Sequence, residues 1–153
     1  MSTTHENLSS DIIWEVVRHQ NAYLVKRSGA GGVQFSRDPL NLTNKHSRKH
    51  AGFVNPQAIG INADSNTVAV TTKLTQHHNK PAKNHSTSSY KSSTPQRKLY
   101  KSVVNSTAKN GYRSDLRADA VARASAVRLS QADKKEKKAS KPRGKKAQKS
   151  ESS

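Results

Sequence analysis

The basic residues of this chain are concentrated towards its C-terminal end, and this polarity limits which part can fold around a core. Residues 1–40 contain four basic and four acidic side chains, whereas residues 81–153 contain 19 basic and five acidic ones. The formal net charge of the whole chain is +18. Because like charges oppose compaction, we expect a small core formed mainly by the N-terminal half. We also expect a partner that supplies negative charge.

Several classes of protein are excluded by what the chain lacks. It has no cysteine, which rules out disulfides, thiolate zinc sites and a cysteine nucleophile. No apolar run approaches the ~18 residues of a membrane helix, and residues 1–10 lack the pattern of a secretory signal. The seven histidines are not spaced with acidic residues as metal ligands. No paired carboxylates or Ser/His/Asp arrangement suggests catalysis. We therefore expect no enzyme activity, no cofactor, no metal, no membrane partner and no small-molecule substrate.

The segment from Ser10 to Arg18 is compatible with two structures. Its β-branched residues favour a strand. Ser10 as an N-cap, an acidic first turn and the spacing of Ile13 and Val17 favour a helix instead. We prefer a short helix here.

Three later segments of the N-terminal half have strand-like patterns. Residues 22–27 and 33–36 are expected to pair as a hairpin, because the glycines between them permit a turn with positive φ. Residues 67–74 predict a further strand with Val68 and Val70 on one face. The four aromatic residues among these apolar segments are expected to pack in the core: Trp14, Tyr23, Phe35 and Phe53.

Two helices are predicted in the C-terminal half. The first begins at Thr94-Pro95, with Thr94 as cap, and ends near Gly111. The second extends from Ser114 to about Gln131. Helical periodicity places apolar or small residues on one side of each helix: Leu99, Val103 and Thr107 in the first, and Leu116, Ala120, Ala124 and Val127 in the second.

These patterns predict an α+β fold: a small, mainly antiparallel sheet with a short N-terminal helix, two C-terminal helices and a disordered basic tail. The expected divisions are an α+β core over 1–75, a polar loop or insert over 76–93, two basic helices over 94–131 and a Lys-rich extension over 132–153. The extension has only alanine as apolar content and cannot fold alone.

Two stretches of the chain resemble a known family. The first includes Trp14–Arg18, Tyr23–Arg27, Asp38–Leu42, Gly52-Phe53 and Gly60-Ile61, and the second includes Tyr112–Arg117, Arg123–Val127 and Ser130-Gln131. Together they resemble the eukaryotic large-subunit ribosomal proteins of type 28e.

The resemblance implies a structural constituent of the cytosolic large (60S) subunit, bound to ribosomal RNA and neighbouring ribosomal proteins, with no catalytic activity. It implies a cytoplasmic ribosome as the location, with nucleolar passage during assembly. The alternative is a free-standing nucleic-acid-binding factor, such as a nucleolar ribosome-maturation protein.

Basic side chains, and one aromatic among them, are the candidates for RNA contact. Arginine forks match phosphate oxygens, and on a helical projection Arg113, Arg117 and Arg128 share one face. Aromatic rings stack on unpaired bases. The predicted RNA-binding residues are Lys26 and Arg27 beside the glycine turn; Lys45, Arg48 and Lys49 in a basic loop; Tyr112, Arg113, Arg117, Arg123 and Arg128 at the last helix; and Lys134, Lys135, Lys137 and Lys138 in the tail.

Overall fold

A computed structural model describes residues 8–77 and 80–132 and has the predicted α+β fold. Its helices and strands follow in the order α1 (Ser10–Val17), β1 (Leu24–Lys26), β2 (Gln34–Ser36), β3 (Ile59–Asp64), β4 (Thr67–Lys73), β5 (His85–Lys91), α2 (Gln96–Ser106) and α3 (Arg117–Gln131). The basic tail lies outside the described residues.

The ambiguous N-terminal segment is helix α1. Its cap is Ser9 and not Ser10, since the Ser9 hydroxyl accepts a hydrogen bond from the Ile12 amide at 3.3 Å. Trp14 is buried against Ala51 and Val54. This contact explains why helix prevails over strand, because a helical turn directs Trp14 and its apolar neighbours at i−1 and i+3 towards one surface.

Strands β1 and β2 form the predicted antiparallel hairpin, with Val25 opposite Phe35. Gly31 and Gly32 adopt φ values of +72° and +74° in the turn, which glycine accepts without steric cost. The expectation that Phe35 packs in the core is wrong, since its side chain is 41% exposed. The hairpin is a two-stranded sheet separate from the three-stranded one, and Phe35 is not part of either apolar cluster.

Strands β3, β4 and β5 form an antiparallel sheet with β4 at its centre. Val68 and Val70 are buried as predicted. The prediction of a solvated loop over 76–93 is wrong for residues 85–91, which form β5 and pair along the whole of β4. Its residues are polar and mostly exposed, so the strand depends on backbone pairing with β4 and has no alternating apolar pattern.

Helices α2 and α3 pack on this sheet through the residues that the helical spacing in the sequence predicts to lie on one side. Leu99, Val103 and Thr107 are each 1% exposed or less. Leu116, Ala120, Ala124 and Val127 join the same apolar cluster as Ile59, Ile61, Val68 and Val70. The predicted cap at Thr94 is wrong, because α2 begins at Gln96 with no side-chain cap. The two C-terminal helices thus complete the core of the three-stranded sheet.

Candidate nucleic-acid interface

A groove lies between the outer faces of α2 and α3, and we call it the cationic groove. It encloses about 550 Å³ in its larger part and continues past Val104 and Arg117 towards Lys109. Its basic lining residues are Arg97, Lys101, Lys109 and Arg117, and its other main lining residues are Gln96, Tyr100, Val104, Asn105 and Val121.

The groove follows from the amphipathic pattern of α2. Because Leu99 and Val103 are buried in the core, Arg97 and Lys101 point outwards, one turn apart. The helix supplies three basic residues and no acidic one. Arg117 is the first residue of α3 and is exposed. The fold therefore brings basic side chains from two helices to one concave surface.

No acidic side chain neutralises this groove within the described part of the chain. From residue 80 to residue 132 the acidic residues are Asp115 and Asp119. Asp115 pairs with Arg113 at 2.9 Å, and Asp119 faces Lys49 and His50. The four groove cations have no ion-pair partner among the residues at 8–77 and 80–132. Such a surface attracts phosphate groups, which both guanidinium and ammonium donors bind.

Arg113 does not lie on the helix face predicted for it. It precedes α3 in the left-handed region, with φ of +49°, so the helical projection that grouped it with Arg117 and Arg128 does not apply. Its guanidinium donates to the Gln57 and Lys49 carbonyl oxygens at 2.9 Å each. It also donates to Asp115, and this hydrogen bond holds the pKa of the Asp115 carboxyl below its ordinary value. Arg113 ties two chain segments together.

Two further arginines of α3 donate to backbone carbonyls. The Arg123 Nε lies 3.1 Å from the Ile61 oxygen in β3, and an Arg128 nitrogen lies 3.3 Å from the Thr94 oxygen before α2. Both side chains are partly buried. Of the predicted arginines at the last helix, Arg117 is the one that faces the cationic groove.

The basic loop has one internal and two outward side chains. Arg48 donates to Asp11 at 2.8 Å, to Ser10 at 2.7 Å and to the Asn55 side chain, so it fastens α1 to the loop. Lys45 and Lys49 are exposed. Lys49 stands 3.9 Å from Asp119, a separation at which solvent screening leaves little attraction.

The remaining basic residues predicted to bind RNA lie beside the glycine turn and in the tail. Lys26 and Arg27 are exposed at the end of β1, and the Lys26 ammonium approaches the His19 carbonyl at 3.4 Å. The tail residues Lys134, Lys135, Lys137 and Lys138 lie outside the described residues.

Tyr112 has a defined place in the fold. Its hydroxyl donates to the Lys73 carbonyl at 2.8 Å and accepts from the Ala58 amide at 3.1 Å. The ring packs against the apolar cluster, and burial raises the pKa of the Tyr112 hydroxyl above its ordinary value. These contacts join the C-terminal half to β4 and to the residue immediately before β3. Tyr100 is the tyrosine that lines the cationic groove.

Sequence reasoning missed Arg97, Lys101 and Lys109. A signal was present: residues 94–111 contain four basic residues and no acidic one. The signal becomes specific only when the buried face of α2 is known, because the same composition is typical of any solvated basic helix.

The described ranges contain no group of three or more His, Asp or Glu residues placed to hold a metal ion. No helix within them combines the length and apolar character needed to cross a bilayer.

Comparison with known proteins places the chain in a family. Residues 12–130 match the Ribosomal L28e protein family. The large ribosomal subunit protein eL28 of Schizosaccharomyces pombe is 39% identical over 131 residues, covering 84% of this chain and 97% of the relative.

Two other relatives with the same name match shorter stretches. The Caenorhabditis elegans protein is 35% identical over 58% of this chain and 67% of its own length. The Trypanosoma cruzi protein is 36% identical over 48% of each chain. The family match covers more than half of the chain, and the resemblance seen in the sequence agrees with it. The chain therefore belongs to the ribosomal L28e protein family.

Proposed function

We propose that this protein is a structural constituent of the cytosolic large ribosomal subunit, without catalytic activity, and that it binds ribosomal RNA through the cationic groove. The observation that carries the proposal is a group of four basic side chains that have no ion-pair partner among the described residues. They are contributed by α2, α3 and the segment between them. Family membership supports the ribosomal RNA as the polyanion. The protein then works in the cytoplasm after nucleolar assembly, beside neighbouring ribosomal proteins.

Binding at the groove is mainly electrostatic. The side chains of Arg97, Lys101, Lys109 and Arg117 replace cations condensed on the RNA phosphates, and the release of those cations favours association. Lys45, Lys49, Lys26, Arg27 and the tail lysines 134, 135, 137 and 138 extend the same contact. Arg48, Arg113, Arg123, Arg128 and Tyr112 act through the fold, since their polar groups are engaged within it.

Co-sedimentation with the subunit tests this function. Full-length protein carrying Arg97→Gln, Lys101→Gln and Arg117→Gln should leave the large-subunit fraction of a sucrose gradient at physiological salt, whereas the unaltered protein remains in it. A matched control removes three exposed charges outside the groove, with Arg37→Gln, Lys91→Gln and Lys98→Gln, and should remain bound.

Three results would contradict the proposal. Equal loss from both triple variants would show that net charge alone matters. Retention of the groove variant would exclude the groove as the RNA contact. Absence of the unaltered protein from translating ribosomes, together with nuclear retention, would instead favour a maturation factor.

A further inference from the structure

A second concave site lies on β4 and the segments that cross it, and it shares no residue with the cationic groove. This cavity of about 260 Å³ is lined by Tyr23, Asp38, Pro39, Leu40, Phe53, Asn62, Thr71, Lys73, Pro81, Asn84 and His85. We call it the Tyr23–Asn84 cavity. Its volume is below the range of roughly 300–1,000 Å³ that accommodates drug-sized ligands, so the cavity suits a smaller group.

One wall of the cavity is aromatic. The rings of Tyr23 and Phe53 are 5.4 Å apart between centroids and inclined at 47°. Both residues are only half-buried, so part of their ring surface faces the cavity. The Tyr23 hydroxyl makes no hydrogen bond within residues 8–77 and 80–132. An aromatic surface of this kind offers a stacking platform for a flat group.

Asn84 provides a second, independent indication of a ligand. The residue is 6% exposed, and it lines the cavity. Its backbone amide and carbonyl are bonded to Pro81 and Leu74, but its carboxamide has no hydrogen-bond partner in the described part of the chain. Its oxygen and nitrogen are therefore available to accept from and donate to a group that enters the cavity.

The charged groups of the cavity do not oppose a polyanion. The buried Asp38 carboxylate accepts from the Leu40 and Phe53 amides at 2.9 and 3.0 Å. The Lys73 ammonium donates to the Asn55 and Phe53 carbonyls, at 3.0 and 3.4 Å. Lys80 and Lys83 are exposed on either side of Pro81. The single acid of the lining is thus already bound within the fold, and the nearest exposed charges in sequence are basic.

We propose that the Tyr23–Asn84 cavity receives one unstacked RNA base, which stacks on the aromatic wall and bonds through its edge to the Asn84 carboxamide. This inference rests on the proposed RNA-binding function and adds a second site, which recognises a single base. Recognition of single-stranded RNA commonly combines stacking with hydrogen bonds to a splayed base. A peptide side chain is less suited, because few side chains combine a flat ring with both donors and acceptors along one edge.

The first experiment uses nucleoside 5′-monophosphates as probes for full-length protein. Titration with AMP, GMP, CMP and UMP at millimolar concentration should shift the NMR signal of the Asn84 carboxamide for at least one base. Ribose 5-phosphate, which lacks a base, should leave the signal in place. If no nucleotide moves it, or if ribose 5-phosphate moves it equally, the proposal is overturned, whatever the fate of the groove.

The second experiment separates the two sites. Asn84→Ala and Tyr23→Leu should each weaken binding of the preferred homo-hexanucleotide by about tenfold, while binding of a duplex RNA is unchanged. Asn110→Ala, at an exposed asparagine outside the cavity, is the matched control and should change neither. Equal loss for duplex and single strand would overturn the base site. Loss of duplex binding in the groove variant alone would still support the proposed function.

Discussion

At the residue scale, what an arginine can bind depends on what its guanidinium already holds. Arg48, Arg113 and Arg123 donate to groups of the fold, whereas Arg117 has no such partner among the described residues and lines the cationic groove. Removing an engaged arginine therefore leaves carbonyls or carboxylates without their donors, and the main loss is stability. Removing Arg117 should instead weaken RNA binding if the proposed function is right.

Tyr112→Phe tests the structural role of the tyrosine. The substitution keeps the ring but removes the hydrogen bonds to Lys73 and Ala58, so the free energy of unfolding in urea should fall by about 1–3 kcal/mol. Tyr100→Phe is the control, since its hydroxyl has no partner in the described part of the chain, and should change stability by less than about 0.5 kcal/mol. An unchanged midpoint for Tyr112→Phe would contradict this assignment.

The same tyrosine predicts a dependence on alkaline pH. Burial raises the pKa of Tyr112 above its ordinary 10.0, so above that pH the unfolded chain loses the proton first. Stability should then fall as pH rises from 10 towards the folded-state pKa. Urea unfolding at pH 9 to 11 should show this fall in the unaltered protein and a smaller one in Tyr112→Phe. If stability fell equally with pH in both proteins, the fall could not be assigned to Tyr112.

At the element scale, each segment is held by contacts remote in sequence. Helix α1 has eight residues, too few for stability in isolation, and it depends on Trp14 and on the Arg48 bonds to Ser10 and Asp11. Strand β5 depends on β4.

Arg48→Met should loosen the docking of α1. The change removes the donors to Ser10, Asp11 and Asn55 and should lower the free energy of unfolding by about 1–3 kcal/mol. Trp14 is the one tryptophan of the chain, so its fluorescence reports on this helix and should shift to the red. Arg37→Met, at an exposed arginine, should leave the emission unchanged. An unshifted spectrum for Arg48→Met would mean that Trp14 packing alone holds α1.

Gly60→Ala tests how closely β3 approaches the segment before it. A Cβ at Gly60 would lie 2.5 Å from the Pro39 carbonyl oxygen and 2.9 Å from a Leu40 methyl group. Because backbone must move, we expect a loss of about 1–3 kcal/mol in the free energy of unfolding. A Cβ at Gly29 would meet no atom within 4 Å, so Gly29→Ala should not lower the free energy of unfolding. Thermal or urea unfolding of both variants gives the comparison. Equal stability of the two variants would disprove the close approach.

At the scale of the whole molecule, the two halves of the chain form one core. Tyr112, Arg113, Arg123 and Gln131 bond to residues between 57 and 73, and α3 packs on β3 and β4. The C-terminal half therefore folds on β3 and β4, and it places Arg97, Lys101 and Arg117 at the exposed surface.

The salt dependence of RNA binding should measure the groove directly. Each of Arg97→Gln, Lys101→Gln and Arg117→Gln should reduce the slope of log affinity against log salt by about one. Lys98→Gln, on α2 but outside the groove, should reduce it by less. Filter binding of ribosomal RNA between low and physiological salt gives these slopes. Identical slopes for all four variants would contradict a localised phosphate contact.

The sequence by itself determined the features that depend on local periodicity. Leu99, Val103, Ala120 and Val127 are buried as their helical spacing predicts, because a regular helix repeats its faces at a fixed angle. The position of the β1–β2 turn likewise followed from its local glycines. The family resemblance was also recognised from short stretches of sequence. The excess of basic residues is likewise evident from the sequence without a structure.

Only the tertiary structure decided β5 and the environment of each cation. Strand β5 has no apolar alternation and exists because β4 offers its edge, and such pairing joins residues that no local pattern connects. Arg113 leaves its predicted face because its backbone is left-handed. The cationic groove and the Tyr23–Asn84 cavity each combine residues from distant segments. Long-range contacts decide whether a charged side chain bonds to other groups of the fold or faces solvent. Amino-acid composition alone does not predict those contacts.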